Sequence, residues 1–225
     1  FGKLGTDGVE LSQVYPSANP TLTYRRVLLR DGVPLSELEA AKQDREYAAR
    51  AAEVRRRLED ESLAGRRRRA EEEALARRRA RIMIEDIVSA LEFTITGRGV
   101  YDGAPAIVVV FAGNPAFRPQ TREGAIAQKF RGTAWIDPKA NEVMHVEATT
   151  TDDISFGFGI VARINKGTTG SLTRRPIDID LWMPASMRLS GQGRAMLFLR
   201  KLAVDFAVDW FDYQRFDGWV PVTTP

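Results

Sequence analysis

Few residues in this sequence could do chemistry. The one histidine, His145, lies on a strand-like stretch, and its parity puts it with Val143 and Glu147 on the wetter face. A nucleophilic triad or an imidazole-based metal centre needs a second group to hold and tune the ring. There is no cysteine and no G-x-S-x-G, so His145 reads as structural. Asp152 and Asp153 are adjacent, so on an extended chain they point to opposite faces and do not grip one ion. Asp178 and Asp180 share a face but bring fewer oxygens than a hard cation takes. A glycosidase-type acid/base pair depends on carboxylate separation, a three-dimensional quantity. A hydrolase using Asp152, Asp153, Asp178 and Asp180 therefore stands as a third reading only. Gly157, Gly159, Gly167 and Gly170 lack the spacing of a phosphate loop and read as bends within strands. The expectation is no catalytic residue, no metal and no cofactor.

Composition narrows the classes further. The chain has 225 residues, 44% of them hydrophobic, enough for a sizeable core. No apolar run reaches the roughly 18 residues of a membrane-spanning helix. Without cysteine there is no disulfide framework. The net charge is +3, and residues 36–81 account for it, with 14 of the 33 Lys and Arg and 11 of the 30 Asp and Glu. An excess so small, spread over an interleaved segment, is a poor footprint for phosphate backbones, so no nucleic-acid partner is expected. The chain opens at Phe1 within a polar stretch, and a signal peptide is expected to have been removed.

The elements that would position these residues fall into blocks. Residues 1–35 read as extended, with strands around Val9–Val14 and Leu22–Arg30 and a tight turn at Asp31-Gly32. They are expected to join the main sheet. Ser36 with Glu39 three positions on is a capping-box signal. Residues 36–91 then read as a charged helical hairpin hinged near Gly65, rich in Ala, Glu and Arg and poor in large apolar residues. At its end Ile84, Ile87, Val88 and Leu91 form one stripe at i, i+3, i+4 and i+7, expected to dock on the sheet. Residues 92–217 switch to period two and read as an antiparallel meander, with Trp135 and Met144 on successive strands and Pro184 breaking a later one. In the last long strand Leu202, Val204, Phe206 and Val208 alternate with Ala203, Asp205, Ala207 and Asp209. One face of that strand is buried and the other wet. Residues 218–225 are a tail, and the whole reads as one domain.

Several passages carry a resemblance. They are Tyr24-Arg-Arg, Asp31-Gly-Val-Pro-Leu-Ser36, Arg118-Pro-Gln-Thr-Arg-Glu-Gly, Phe130-Arg-Gly-Thr-Ala-Trp-Ile-Asp137 and Asp152-Asp-Ile-Ser-Phe-Gly-Phe-Gly159, then Leu181-Trp-Met-Pro184 and Asp212-Tyr-Gln-Arg-Phe216. Together they resemble uncharacterised bacterial envelope proteins of the outer-membrane lipoprotein-sorting type, similar in expected fold to Lol-type carriers and RseB-like sensors. The resemblance implies a mainly antiparallel β fold with α: a strongly curved half-barrel sheet, unclosed, covered by helices and lined by apolar side chains. It implies a periplasmic, non-enzymatic protein whose partner is an acyl chain or a lipidated protein. The lining is expected to comprise Phe93, Ile95, Val108, Val110, Trp135, Met144, Val146, Leu189, Phe206 and Val208. The alternative is an envelope scaffold that binds a protein partner, or a second copy, through the charged hairpin.

Overall fold

The computed structural model describes residues 8–17, 19–156, 162–195 and 200–214. They form two compact units, Phe1–Leu75 and Ala76–Pro225, where one domain was expected.

In the first unit, β1 (Glu10–Tyr15), β2 (Tyr24–Arg30) and β3 (Val33–Pro34) make a three-stranded antiparallel sheet in the order β1-β2-β3. These strands therefore do not join the larger sheet, as residues 1–35 were expected to. The reason lies in β2, whose inward residues are already taken by the helix α1 (Glu37–Glu59). Tyr24 is buried and stacks on Tyr47 at 4.2 Å. Its hydroxyl donates to Asp44, which also takes Arg26 at 2.9 Å. Burial, reinforced by Asp44, pushes the Tyr24 hydroxyl well above the usual phenol range. Gln43 accepts from the Val27 N–H and donates to its carbonyl. The expected capping box is present: Ser36 Oγ accepts from the Glu39 N–H, and the Glu39 carboxylate accepts from Ser36. The turn at Asp31-Gly32 has both residues at positive φ, as a tight hairpin of this kind demands.

The helix break falls at Asp60–Ser62, ahead of Gly65. Ser62 Oγ accepts from the Gly65 N–H at 3.1 Å, so Gly65 lies in the first turn of α2 (Leu63–Ser89). A polar cap displaced the hinge from the glycine.

The second unit holds a nine-stranded sheet. Its strands are β4 (Leu91–Tyr101), β5 (Ala104–Gly113), β6 (Phe130–Ile136), β7 (Val143–Thr150), β8 (Ile154–Phe156), β9 (Ala162–Ile164), β10 (Thr169–Asp178), β11 (Leu181–Ala195) and β12 (Arg200–Asp209). The path runs β4-β5-β6-β7-β10-β11-β9-β8, with β12 on β11, and every pairing is antiparallel. The sheet does not close into a barrel. β4 carries a bulge: Ile95 opposes Val109 and Gly97 opposes Val108, so Thr96 is the extra residue, and Gly97 sits at φ 146°. β11 runs through Pro184 instead of breaking there. Its pairing with β12 begins at Ser186, so the missing N–H costs no ladder bond on that side.

A short helix, α3 (Arg122–Ala127), capped by Thr121, connects β5 to β6. The end of α2 is tied to this connection by a residue no pattern flagged. Asp86 is 5% exposed. Its carboxylate accepts from the Thr121 hydroxyl and from the N–H groups of Gln120 at 3.0 Å and Thr121 at 2.8 Å. Those bonds hold it below the usual carboxylate range. A β-carbon at Gly124 would collide with the same carboxylate, which is why glycine stands there. The apolar stripe was expected to dock, yet Ile84 and Val88 are 57% and 53% exposed. The carboxylate face of this last stretch is the anchored one, because three orphan donors, two backbone N–H groups and one hydroxyl, need a partner more than the stripe needs cover. Among the described residues no helix is long and apolar enough to cross a membrane.

Candidate functional site

In an antiparallel pair, directly opposed residues share a face. Following the register strand by strand sorts the side chains of the nine-stranded sheet into rows. One row reads Ile95, Val109, Ala134, Val146, Leu172, Met187, Val208, crossing β4, β5, β6, β7, β10, β11 and β12. The next row on the same face reads Phe93, Phe111, Gly132, Ala148, Gly170, Leu189, Phe206. Neither contains a polar side chain. Gly132 has a specific reason: a β-carbon there would press on the Phe111 ring and the Glu147 carbonyl. Val109 and Ala134 are buried, while Ile95, Phe93 and Phe206 toward the two edges are 72%, 52% and 47% exposed.

The other face has a different chemistry. Its rows read Glu92, Ala112, Arg131, Thr149, Thr169, Ser190, Asp205, and Thr94, Val110, Thr133, Glu147, Ser171, Arg188, Ala207. Hydroxyls and charges dominate both. Farther along, Val108, Trp135, His145, Thr173 and Ser186 share one row. There His145 is buried and stacks on Tyr101 with ring centroids 4.5 Å apart. Trp135 leans on both rings. His145 Nδ1 meets Thr173 Oγ1 at 2.9 Å and Nε2 meets Glu147 Oε1 at 3.2 Å. The sole imidazole is thus fully engaged, on the polar face that its parity indicated, and serves packing. Met144 joins Ala106 and Trp182 in the small core beside this cluster.

The ten expected lining residues therefore do not form one surface. Phe93, Ile95, Val146, Leu189, Phe206 and Val208 lie on the apolar face. Val108, Val110 and Trp135 project from the opposite side, and Met144 sits in the core with Trp135 next to the bulge between β6 and β7. The error has a physical origin. β5 is apolar at nearly every position, so alternation could not say which parity opposes Phe93; the register answers with Phe111. Phe111 and Val109 were missed for the same reason; Leu172 and Met187 were missed because only the cross-strand register puts them in line with Val146 and Val208.

Three of the four candidate carboxylates make contacts that join turns and strands. Asp152 pairs with Lys129 at 3.1 Å. Asp153 takes Arg163 and the Lys166 N–H. Lys129 and the Asp153 N–H hold Asp152 below its ordinary range, and the Lys166 N–H followed by Arg163 does the same for Asp153. Asp152 ties the β7–β8 turn to the start of β6, and Asp153 ties it to β9 and the β9–β10 turn. Asp178 closes the β10–β11 turn by accepting from the Ile179 N–H at 2.8 Å, with Asp180 exposed beside it. Among the described residues no group of three His, Asp or Glu could hold a metal ion. Gly157 and Gly159 lie outside the described residues.

Two depressions mark the polar side. One, of about 520 Å³, is lined by Glu92, Thr94, Val110, Arg131, Thr133, Glu147 and Thr149, among others. The other, of about 470 Å³, lies where Trp210 to Tyr213 turn back over β10 and β11, and the Tyr213 hydroxyl donates to the Pro184 carbonyl at 2.7 Å. No known protein family, curated protein or solved structure matches the chain.

Proposed function

We propose that this chain is a non-enzymatic periplasmic carrier or sensor, and that it holds an acyl chain or a lipidated protein against the apolar face of the nine-stranded sheet. In this reading the sheet curves into half a barrel with its apolar face inward. One observation carries the proposal: two adjacent rows, seven residues each, run across seven strands without a polar side chain, and Phe93, Ile95 and Phe206 remain about half exposed or more. Apolar surface of that extent is uncommon unless something covers it, and sites for apolar ligands are lined in this way. Native mass spectrometry of the purified protein, with uptake of a fluorescent fatty acid, tests it. A co-purifying lipid, and uptake lost in Ile95→Glu and Phe206→Glu, are expected. A lipid-free protein that takes up no fatty acid ends the proposal.

A second reading rests on a separate observation, the exposure of Ile84 and Val88 at the end of a helix whose residues 66–81 are charged or small apart from Leu75. Here α1 and α2 form a charged hairpin that binds another envelope protein. Ile84→Glu with Val88→Glu removes the stripe without touching the sheet rows. A pull-down from envelope extract that keeps its partner list after this change sinks the second reading.

A further inference from the structure

The depression between β4 and β7 is on the face that the acyl reading does not use. It is lined by Glu92, Thr94, Arg131, Thr133, Glu147 and Thr149 around Val110 and Ala112, with Phe111 and Gly132 of the apolar rows also bordering it. Four strands at about 4.8 Å spacing make it roughly 14 Å across. Its volume of about 520 Å³ falls in the range of small-molecule sites.

Its side chains are idle in a way that others on the sheet are not. Arg174 holds Glu142 at 2.6 Å, Arg188 holds Asp209 at 2.6 Å, and Arg163 holds Asp153. Arg131 has no ion pair or hydrogen bond among the described residues, and neither do the side chains of Glu92, Thr94, Thr133 and Thr149; Glu147 gives only one oxygen to His145. An unpaired guanidinium among hydroxyls is a receptor for a planar or tetrahedral anion. The two carboxylates have lone pairs only and require a donor from the ligand, and the three threonines can serve as donor or acceptor. The group that satisfies all six is one that carries a single anionic centre and several hydroxyls, with a C–H face to rest on Val110.

We propose that this depression binds a small hydroxylated anion of the sugar-acid or sugar-phosphate class. Arg131 takes the anionic group, and Glu92, Glu147 and the three threonines take the hydroxyls. Backbone positions are supplied by paired strands, so the walls stand on a rigid sheet and the side chains alone adjust.

Glucuronate, glucose 6-phosphate and glucose are the probes, titrated into the full chain with amide chemical shifts as the readout. At least one anion is expected to bind about tenfold or more tightly than glucose, the ratio that one charge-assisted hydrogen bond supplies. The shifts should centre on β4–β7, and the tighter of the two anions identifies the carboxylate or the phosphate source. Arg131→Met should bring anion affinity down to that of glucose, and Arg131→Lys should keep part of it. Arg131 is exposed, so both variants keep the fold, and fatty-acid uptake on the other face should not change. Equal binding of glucose and both anions overturns the proposal. So does an Arg131→Met variant with undiminished anion affinity, or the absence of shifts with all three probes.

Discussion

The two faces of the nine-stranded sheet are made by the same strands and differ in almost every other respect. On one, Val109, Ala134, Val146, Leu172 and Met187 follow each other across five strands with only methyl and thioether groups. On the other, one register step away, Thr133, Glu147, Ser171 and Arg188 do the same with hydroxyls and charges. Period-two geometry converts a one-residue offset into a change of solvent. The lesson is that register, more than composition, decides what this molecule can bind. Six of the ten residues expected to line one surface do so. Val108 and Val110 cross to the far side because β5 is apolar on both parities, and Trp135 goes with them because it is paired with Val108.

The contrast can be broken by putting a charge into each face. Val109→Asp should cost about 3 kcal/mol or more, since the carboxylate would be buried without a partner, and should shift the urea midpoint strongly. Thr169→Asp, exposed on the polar face, should cost about 1 kcal/mol or less. Similar losses for the two would mean that the faces are not as unequal as their rows. An effect between those two is expected from Met144→Ala, which empties part of the core under Trp182. It should lower stability by about 2–3 kcal/mol, read from the same unfolding curve, and should leave fatty-acid uptake intact if the apolar face works alone.

Asp86 sharpens the comparison by pH. Its folded-state value is lowered by the bonds from Thr121 and Gln120. The stability it supplies is therefore complete above the ordinary carboxylate value near 3.9 and disappears as pH falls through the lower folded value. Asp86→Ala should lower Tm at neutral pH, and the gap from the parent should close on acidification below about pH 4. Thermal melts from pH 7 to 2 would refute this with a gap that is constant in pH. Smallest of all, Ser36→Ala in the first unit removes the cap of α1 and should cost about 1 kcal/mol, with no effect on either face of the sheet.

Much of the local structure was legible from residue types. Ser36 and Glu39 announced the start of α1, and Asp31-Gly32 the β2–β3 turn, where both residues indeed have positive φ. Alternation in the last strand named its apolar face, with Phe206 and Val208 correctly on it. What escaped was non-local. Asp86 looks like any helix-surface acid, and its partners are 34 and 35 residues away. The stripe of Ile84 and Val88 has the right period for docking, but periodicity says which residues share a face and not whether that face meets anything. Strands β1–β3 read as strands, and nothing in their pattern told a separate sheet from an edge of the larger one.

The extra residue at Thr96 reaches beyond the register of its own hairpin. β4 has 11 residues, pairs only with β5 among the described residues, and offers an open row of amides and carbonyls of the sort that nucleates fibrils. Past the bulge its side chains change phase, so Arg98 emerges on the greasy side opposite Ile107. A foreign strand adding there would match its oils to Phe93 and Ile95 and then meet a guanidinium. One inserted amino acid thus sets a charge in the path of any strand that would extend the sheet at this edge.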